Sequence, residues 1–353
     1  MAKRNGLIVS TLTAAILTLG TMSGATAADK ITLRLADSVP KTHPISVYLS
    51  KFWMDEVTKL THGQVQFQWF PAGQMGKARD LLELARSGTV DIARVGPSYT
   101  PAKLPLSAVD ELPGMISSSC EGSQAMWELA KTGGGGILAQ DDYAPLGLHV
   151  VFAASNPPYE VMTTKREVKL PNDMKGLKLK TLGGASDDAA LKVGAVPVQM
   201  SVADLYVALQ RGTVDGRFGS FQSVFANSTQ DILQHSTLGA EVGSFGIVAV
   251  MSDAKWKKLP KNVQQAMLQA GDKAWKNFCT HEEQSKAPIV KKLEAEHHWK
   301  VYKLSAADKE AWHKTFAPVQ EKWAKTLDSR GKPGTKVLDA FRAAVEKAGA
   351  GKN

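Results

Sequence analysis

DLLELARSGTVDIARVG (80–96) and DLYVALQRGTVDGRFGS (204–220) are two stretches of one chain that share the tetrapeptide GTVD. In both stretches an Asp-Leu pair opens the segment, and the glycine follows at the same spacing. Each predicts a short apolar helix that ends at the glycine, since glycine adopts the left-handed conformation of a helix end without steric cost. The residues after each glycine predict a strand. The repeated helix-to-strand unit therefore predicts two similar α/β lobes.

The rest of the chain supports a two-lobed α/β fold with a hinge. Alternating strands are predicted at 31–37 and 65–70 in the first lobe and at 177–182 in the second. The apolar runs at 146–155 and 246–252 are expected to cross between the lobes. Two crossings form a hinge, and hinged lobes close around ligands that bind beyond the carboxyl ends of the strands.

The predicted organisation has two discontinuous lobes. Lobe I is expected to span 28–153 and to include a return segment at about 246–280. Lobe II is expected to span 154–245 and to include long C-terminal helices at about 281–353. The predicted class is thus a periplasmic-binding-protein fold with hinge strands and long C-terminal helices.

The first 27 residues predict a signal peptide. Lys3 and Arg4 precede the apolar run 7–19, and Ala25-Thr26-Ala27 is a small-residue cleavage site. We therefore expect a periplasmic protein that is cleaved near Ala27. Cys120 and Cys279 are an even pair in an exported chain, which favours a disulfide over two separate buried thiols.

The charge of the chain does not indicate a nucleic-acid partner. The formal net charge is +9, and it falls to +7 when the two cations of the signal peptide are removed. No nucleic-acid-binding motif accompanies the basic residues. A solvated positive surface is the interpretation we favour, and it would also steer anionic solutes toward the protein.

Three segments carry a resemblance to a known family. LPNDMKGLKLKTLGG (170–184), GAVPVQMSVADLYVALQRGTVDG (194–216) and WFPAGQMGKARDLLELARSGTVDIA (69–93) resemble the solute-binding proteins of TRAP transporters. The resemblance covers nearly all of the mature chain. It implies a periplasmic receptor that closes on a small solute and delivers it to a membrane permease driven by an ion gradient.

The chain departs from the family at the positions that bear on the ligand. The family typically has an arginine for a substrate carboxylate where this chain has Lys180, and a second basic residue where it has Glu160. Lysine holds a carboxylate as a point charge, without the bidentate fork of arginine. Where the family often has Gln-Glu-Asn, this chain has Arg217-Phe218-Gly219, and Arg217 is the candidate replacement cation.

Other candidate ligand-binding residues follow from their places at strand ends. His43 lies in the first strand-to-loop crossing, and we interpret it as structural. Ser38 is a candidate in the same crossing, and Gly96, Ser98 and Tyr99 are candidates after the strand that follows the first GTVD. Tyr159 is a candidate at the start of the second-lobe strand predicted at 159–165.

Several functions stay open from the residues alone. The leading prediction is a receptor for a small organic acid held by Lys180 and Arg217, because a buried anion requires an opposite charge. The alternative is an amine or zwitterion held by Glu160, with Tyr159 and Phe218 contributing cation–π contacts. An exported enzyme is not favoured, since the sequence lacks the common catalytic and metal-binding motifs. An adhesive protein lacks a repeat array. We expect no cofactor and predict no metal-ligating residues, while binding of a metal ion together with the solute stays open.

Overall fold

The computed structural model describes residues 1–2 and 29–350 of the chain. The predicted signal peptide, apart from its first two residues, lies outside the described residues. Within the described part, no helix is both long enough and apolar enough to cross a membrane.

Strands and helices alternate along the described chain. The strands are β1 (Ile31–Ala36), β2 (Val65–Phe70), β3 (Ile92–Val95), β4 (Leu148–Ser155), β5 (Glu160–Thr163), β6 (Lys178–Thr181), β7 (Val196–Gln199), β8 (Gly216–Gly219), β9 (His235–Leu238), β10 (Gly246–Ser252) and β11 (Lys300–Lys303). The helices are α1 (Phe52–Leu60), which continues the helical turn Ile45–Lys51, and α2 (Leu81–Arg86), α3 (Ser119–Ala130), α4 (Ala185–Lys192), α5 (Leu205–Gln210), α6 (Ser223–Ala226), α7 (Asp253–Trp256), α8 (Lys261–Glu296), α9 (Ala306–Asp328) and α10 (Gly334–Ala350).

The strands form two mixed sheets, one in each lobe. The first has the order β2-β1-β3-β10-β4, and the second has the order β11-β9-β5-β8-β6-β7. In the first sheet β1 is parallel to β2 and β3, and in the second β6 is parallel to β7 and β8. The three-strand units β2-β1-β3 and β7-β6-β8 therefore have the same topology, which is the internal repeat that the two GTVD segments predict.

The aspartate of each GTVD segment makes the same contact in its own lobe. Asp91 Oδ2 accepts a hydrogen bond from the backbone N–H of Arg34 at 2.8 Å, and Asp215 Oδ2 accepts one from that of Lys178 at 2.8 Å. Arg34 and Lys178 lie on β1 and β6, the central strands of the two units. Gly88 has a φ of +76° and Gly212 a φ of +67°, so both helices end as predicted.

The long C-terminal helices are shared between the lobes. Helix α8 buries Cys279 in the core of the first lobe and Leu293 in a core of the second. Helix α9 buries Trp312 in the second lobe and Trp323 in the first. The expectation that 281–353 belongs to the second lobe is wrong for α10, whose apolar face, including Phe341, packs into the first core. Amphipathic periodicity shows which face is buried but not against which partner.

The predicted disulfide is present. Cys120 on α3 and Cys279 on α8 are bonded, with their Cα atoms 4.9 Å apart. The bridge links the first lobe to the long helix, as the sequence indicates.

Candidate functional site

A cavity lies between the two lobes. Its volume is about 60 Å³. The first lobe supplies residues from the segments after β1 and β3, the second supplies residues from β6, β8 and α6, and the crossing segment contributes Asn156 and Tyr159. Seven of the ten predicted ligand-binding residues line it: Ser38, Tyr99, Tyr159, Lys180, Arg217, Phe218 and Gly219.

The sheet register brings the two predicted cations together. Strands β6 and β8 are parallel neighbours, and Lys180 stands opposite Arg217. Neighbouring strands lie about 4.8 Å apart, so the two side chains leave the sheet side by side. Lys178, which is two residues before Lys180 and on the same face of the strand, is exposed at the outer end of β6.

Lys180 is a buried amine without a salt-bridge or hydrogen-bond partner in the described part of the chain. Only 6% of its surface is exposed. Burial, together with the neighbouring Arg217 cation, lowers the pKa of Lys180 to about 7. A charged amine at this place gains from an anion in the cavity, because no protein carboxylate pairs with it.

Arg217 is held in place by the loop that follows its strand. Its Nη2 donates to the backbone oxygen of Ser220 at 3.2 Å and to Ser223 Oγ, and its Nε is buried without a partner. Burial lowers the pKa of Arg217 to about 10, so it stays charged at neutral pH. The guanidinium lies against the backbone of Gly219, where a Cβ atom would stand 2.4 Å from Arg217 Nε. Glycine is needed at 219 for this contact.

A second arginine lines the cavity but is already paired. Arg94 on β3 forms a buried salt bridge with Asp37 and donates to Ser38 Oγ at 3.3 Å. Asp37 also accepts from the N–H of Val39 at 2.9 Å and from Ser50 at 3.2 Å. This arrangement neutralises the Arg94 charge within the protein.

His43, which the sequence analysis interpreted as structural, also lines the cavity. Its Nδ1 accepts from the backbone N–H of Ile45 at 3.2 Å. Burial, with a further contribution from Arg94, lowers the pKa of His43 to about 4. The ring is therefore neutral at pH 7 and carries its proton on Nε2. It combines the structural role with a place at the cavity wall.

Glu160 does not reach the cavity, contrary to the prediction. Its carboxylate accepts from Thr237 Oγ1 at 2.8 Å and from the backbone N–H groups of Gly239 and Ala240 at 2.8 and 3.0 Å. Burial raises the pKa of this carboxyl. Glu160 sits at the first position of β5, and its side chain is used to hold the turn after β9.

Gly96 and Ser98 also lie outside the cavity wall. A Cβ at Gly96 would stand 2.1 Å from the ring of Phe245, which does line the cavity. Ser98 donates to the buried carboxyl of Glu111. Burial, together with the adjacent Asp110, raises the pKa of Glu111. Gly96 thus leaves space for the ring of Phe245. Ser98 hydrogen-bonds Glu111, a buried acid that does not line the cavity.

Three residues that line the cavity were not predicted from the sequence: Arg94, Phe245 and Asn227. Arg94 is on the strand that follows the first GTVD, and Arg217 is on the strand that follows the second. The two arginines are offset by one position when the repeats are aligned, because Arg94 comes six residues after Gly88 and Arg217 five after Gly212, so only the shared place on the strand after GTVD points to Arg94. Phe245 and Asn227 come from a crossing segment and a short helix end, which carry no comparable pattern. Within residues 1–2 and 29–350, no cluster of three or more His, Cys, Asp or Glu side chains could hold a metal.

Comparison with known proteins places the chain in a family. Residues 35–326 match the family described as bacterial extracellular solute-binding protein, family 7. The chain belongs to this family. The family-7 match covers both repeats and the whole cavity wall, and it confirms the predicted kinship with TRAP solute-binding proteins. Members are solute receptors rather than enzymes.

Relatives of this family-7 protein match over most of their length. A solute-binding protein of Verminephrobacter eiseniae is 27% identical over 91% of both chains. The C4-dicarboxylate-binding periplasmic protein of Rhodobacter capsulatus is 24% identical over 93% of this chain and 98% of that protein. A TRAP solute-binding protein of Rhodoferax ferrireducens, solved with copurified benzoate, has a TM-score of 0.81 at 24% identity and covers 92% of this chain and 100% of that one. This likeness confirms the two-lobed fold.

Proposed function

We propose that this protein is a periplasmic TRAP receptor that captures a small organic carboxylate between its lobes and passes it to a membrane permease. The observation that carries the proposal is the adjacent pair Lys180 and Arg217, two buried cations at the cavity wall without a carboxylate partner in the described chain. Relatives support it: one is named for C4-dicarboxylates, and structural neighbours hold benzoate and mandelate.

The receptor binds its solute and performs no chemistry on it. Buried acids near the cavity are engaged in internal hydrogen bonds, as the contacts of Asp37, Glu111 and Glu160 show. A solute incubated with the protein should be recovered unchanged by mass spectrometry. Conversion of the solute would contradict this part of the proposal.

Calorimetric titration of carboxylates into the mature protein tests the anchor. Lys180→Ala should weaken binding by about 2–5 kcal/mol, or roughly 30-fold to several thousand-fold, because it removes one partner of a buried charge pair. Lys178→Ala is the matched control, since this lysine lies on the same strand but is exposed. Equal affinities for the wild type and Lys180→Ala would remove Lys180 from the site.

The amine or zwitterion alternative loses its anchor, because Glu160 is turned away from the cavity and fully engaged. A Glu160→Ala variant distinguishes the two proposals. We expect a lower melting temperature and an unchanged affinity for carboxylates. Tight binding of an amine that disappears in this variant would restore the alternative.

A further inference from the structure

Aromatic residues line the cavity. Tyr99 and Phe245 face each other edge-on, with ring centroids 5.6 Å apart, on the side of the first lobe. Tyr159, in the crossing segment, also lines the cavity. Phe218 lines it from β8, but its side chain packs in the second-lobe core, on the opposite face of the strand from Arg217. We therefore expect Tyr99, Phe245 and Tyr159 to flank a bound solute.

The charges of the cavity are concentrated at one place. Lys180 and Arg217 are register neighbours, so one carboxylate can contact both. Arg94 is neutralised by Asp37. His43 accepts a backbone hydrogen bond through Nδ1 and is a neutral donor. A second carboxylate on the same solute would find no free cation among the described lining residues.

The described residues that line the cavity also include no carboxylate partner for an ammonium group. In the described part of the chain, no aspartate or glutamate stands among the residues that line it. The nearby acids Asp37 and Glu111 are held by Arg94 and Ser98. A buried ammonium without a partner is strongly unfavourable, so amino acids are selected against.

We propose that this cavity selects an aromatic monocarboxylate that has neither an amino group nor a second acid. The carboxylate is held by Lys180 and Arg217, and the ring is flanked by Tyr99, Phe245 and Tyr159. This inference rests on the proposed function, because it assumes that the same cavity takes a carboxylate, and it adds the class of solute.

The test is a panel of matched probes titrated into the dialysed mature protein. Benzoate against cyclohexanecarboxylate keeps the carboxylate and the number of carbons but replaces the flat aromatic ring by a puckered saturated one. 3-Phenylpropanoate against phenylalanine adds an ammonium group, and benzoate against terephthalate adds a second acid. Succinate is the aliphatic diacid.

We expect benzoate to bind about tenfold more tightly than cyclohexanecarboxylate, because ring–ring contacts add to area burial. Phenylalanine should bind at least about 30-fold more weakly than 3-phenylpropanoate, since its ammonium is left unpaired. Terephthalate and succinate should bind more weakly than benzoate.

The outcomes separate the two proposals. Tightest binding by succinate, terephthalate or cyclohexanecarboxylate would overturn the aromatic class and leave the carboxylate receptor standing. Tightest binding by phenylalanine would overturn the exclusion of ammonium groups. Failure of every carboxylate to bind would overturn the proposed function itself, and the aromatic class with it.

A pair of variants assigns the preference to the wall. Phe245→Leu should reduce the ratio of benzoate to cyclohexanecarboxylate affinity toward one, because it removes a ring and keeps an apolar side chain. Phe225→Leu is the control, since this ring lies outside the cavity and contacts His297. If folded Phe245→Leu keeps the wild-type ratio of benzoate to cyclohexanecarboxylate affinity, the ring of Phe245 does not set the preference. If the variant does not fold, the probe panel on the wild type decides the class of solute.

Discussion

At the scale of single residues, the proposed site depends on Lys180, a buried lysine whose pKa is lowered to about 7. An arginine stays protonated at every physiological pH, whereas a buried lysine shifts its pKa readily. Lys180 is buried and lies beside Arg217, and both effects disfavour its charged form. We therefore expect ligand capture through Lys180 to be linked to proton uptake.

Carboxylate affinity should fall as the pH rises above about 7. The pKa of Lys180 in the empty cavity is about 7, so at higher pH the free amine must take up a proton before it can pair with the solute. Affinity should decrease by up to about tenfold per pH unit, and calorimetry in buffers of different ionisation enthalpy should show uptake approaching one proton at pH 8. His43 stays neutral throughout, because its pKa is about 4.

Lys180→Arg is the matched control for this linkage. Arginine keeps its charge, so the variant should bind carboxylates with little change between pH 6 and 9. The same pH dependence in the wild type and the variant would assign the effect to another group.

Gly219 is the second residue on which the anchor depends. Gly219→Ala places a Cβ 2.4–2.6 Å from atoms of the Arg217 guanidinium, which is the flexible end of a side chain and can be displaced. The protein should fold, and carboxylate affinity should fall about 10- to 100-fold, the range for a lost hydrogen bond to a charged group. Titration of Gly349→Ala, whose Cβ would meet nothing closer than 3.9 Å, is the control. Equal affinities would show that Arg217 does not depend on this glycine.

At the scale of elements, α3 and α8 are joined by the bridge between Cys120 and Cys279. The bonded residues are 159 positions apart, so the bridge restricts a large part of the unfolded chain. Helix α8 continues from the bridge into the second lobe, where it buries Leu293. The bridge thus anchors α8, a helix that packs in both lobes, to α3 of the first lobe.

Loss of the bridge should lower stability and leave binding intact. Replacing both cysteines by serine should reduce the free energy of unfolding by about 2–5 kcal/mol, mainly because the unfolded chain becomes less restricted. Urea denaturation measures this change, and reduction of the wild type with dithiothreitol should reproduce it. Carboxylate affinity should be unchanged, since neither cysteine lines the cavity. A large loss of affinity would mean that the bridge also positions the lobes.

At the scale of the whole molecule, the cavity exists only when the lobes meet. Lys180 and Arg217 belong to the second sheet, and Arg94 belongs to the first. The chain crosses between the sheets after β4 and before β10, and these segments carry Asn156, Tyr159 and Phe245. We therefore expect solute binding and lobe closure to be two parts of one equilibrium.

Carboxylate binding should make the protein more compact in solution. The radius of gyration from small-angle X-ray scattering should decrease on addition of a saturating solute. At about 100 times the dissociation constant, the solute should also add about 2.7 kcal/mol to the free energy of unfolding. Lys180→Ala at the same concentration should show a smaller decrease in radius of gyration and gain at most about 0.9 kcal/mol, because its binding is at least about 30-fold weaker. A constant radius of gyration with saturated binding would mean that the empty receptor is already closed.

The sequence by itself determined the features that depend on local periodicity and on the repeat. The GTVD glycines end helices in the left-handed region, most strands and helices stand where alternation and amphipathicity place them, and the family motif leads to Lys180. Strand β9 was not predicted. These predictions succeed because hydrophobic period, helix ends and turn chemistry act between residues close in the chain.

Only the tertiary structure decided which side chains share the cavity. Glu160 and Lys180 are both buried polar residues of second-sheet strands, yet Glu160 is engaged by the turn after β9 and Lys180 lines the cavity. Arg94 and Arg217 follow the same motif, yet only Arg94 has a carboxylate partner in the described chain. The destination of α10 is a further case. Such outcomes depend on contacts between distant segments, and no local pattern records which charge is neutralised by which neighbour.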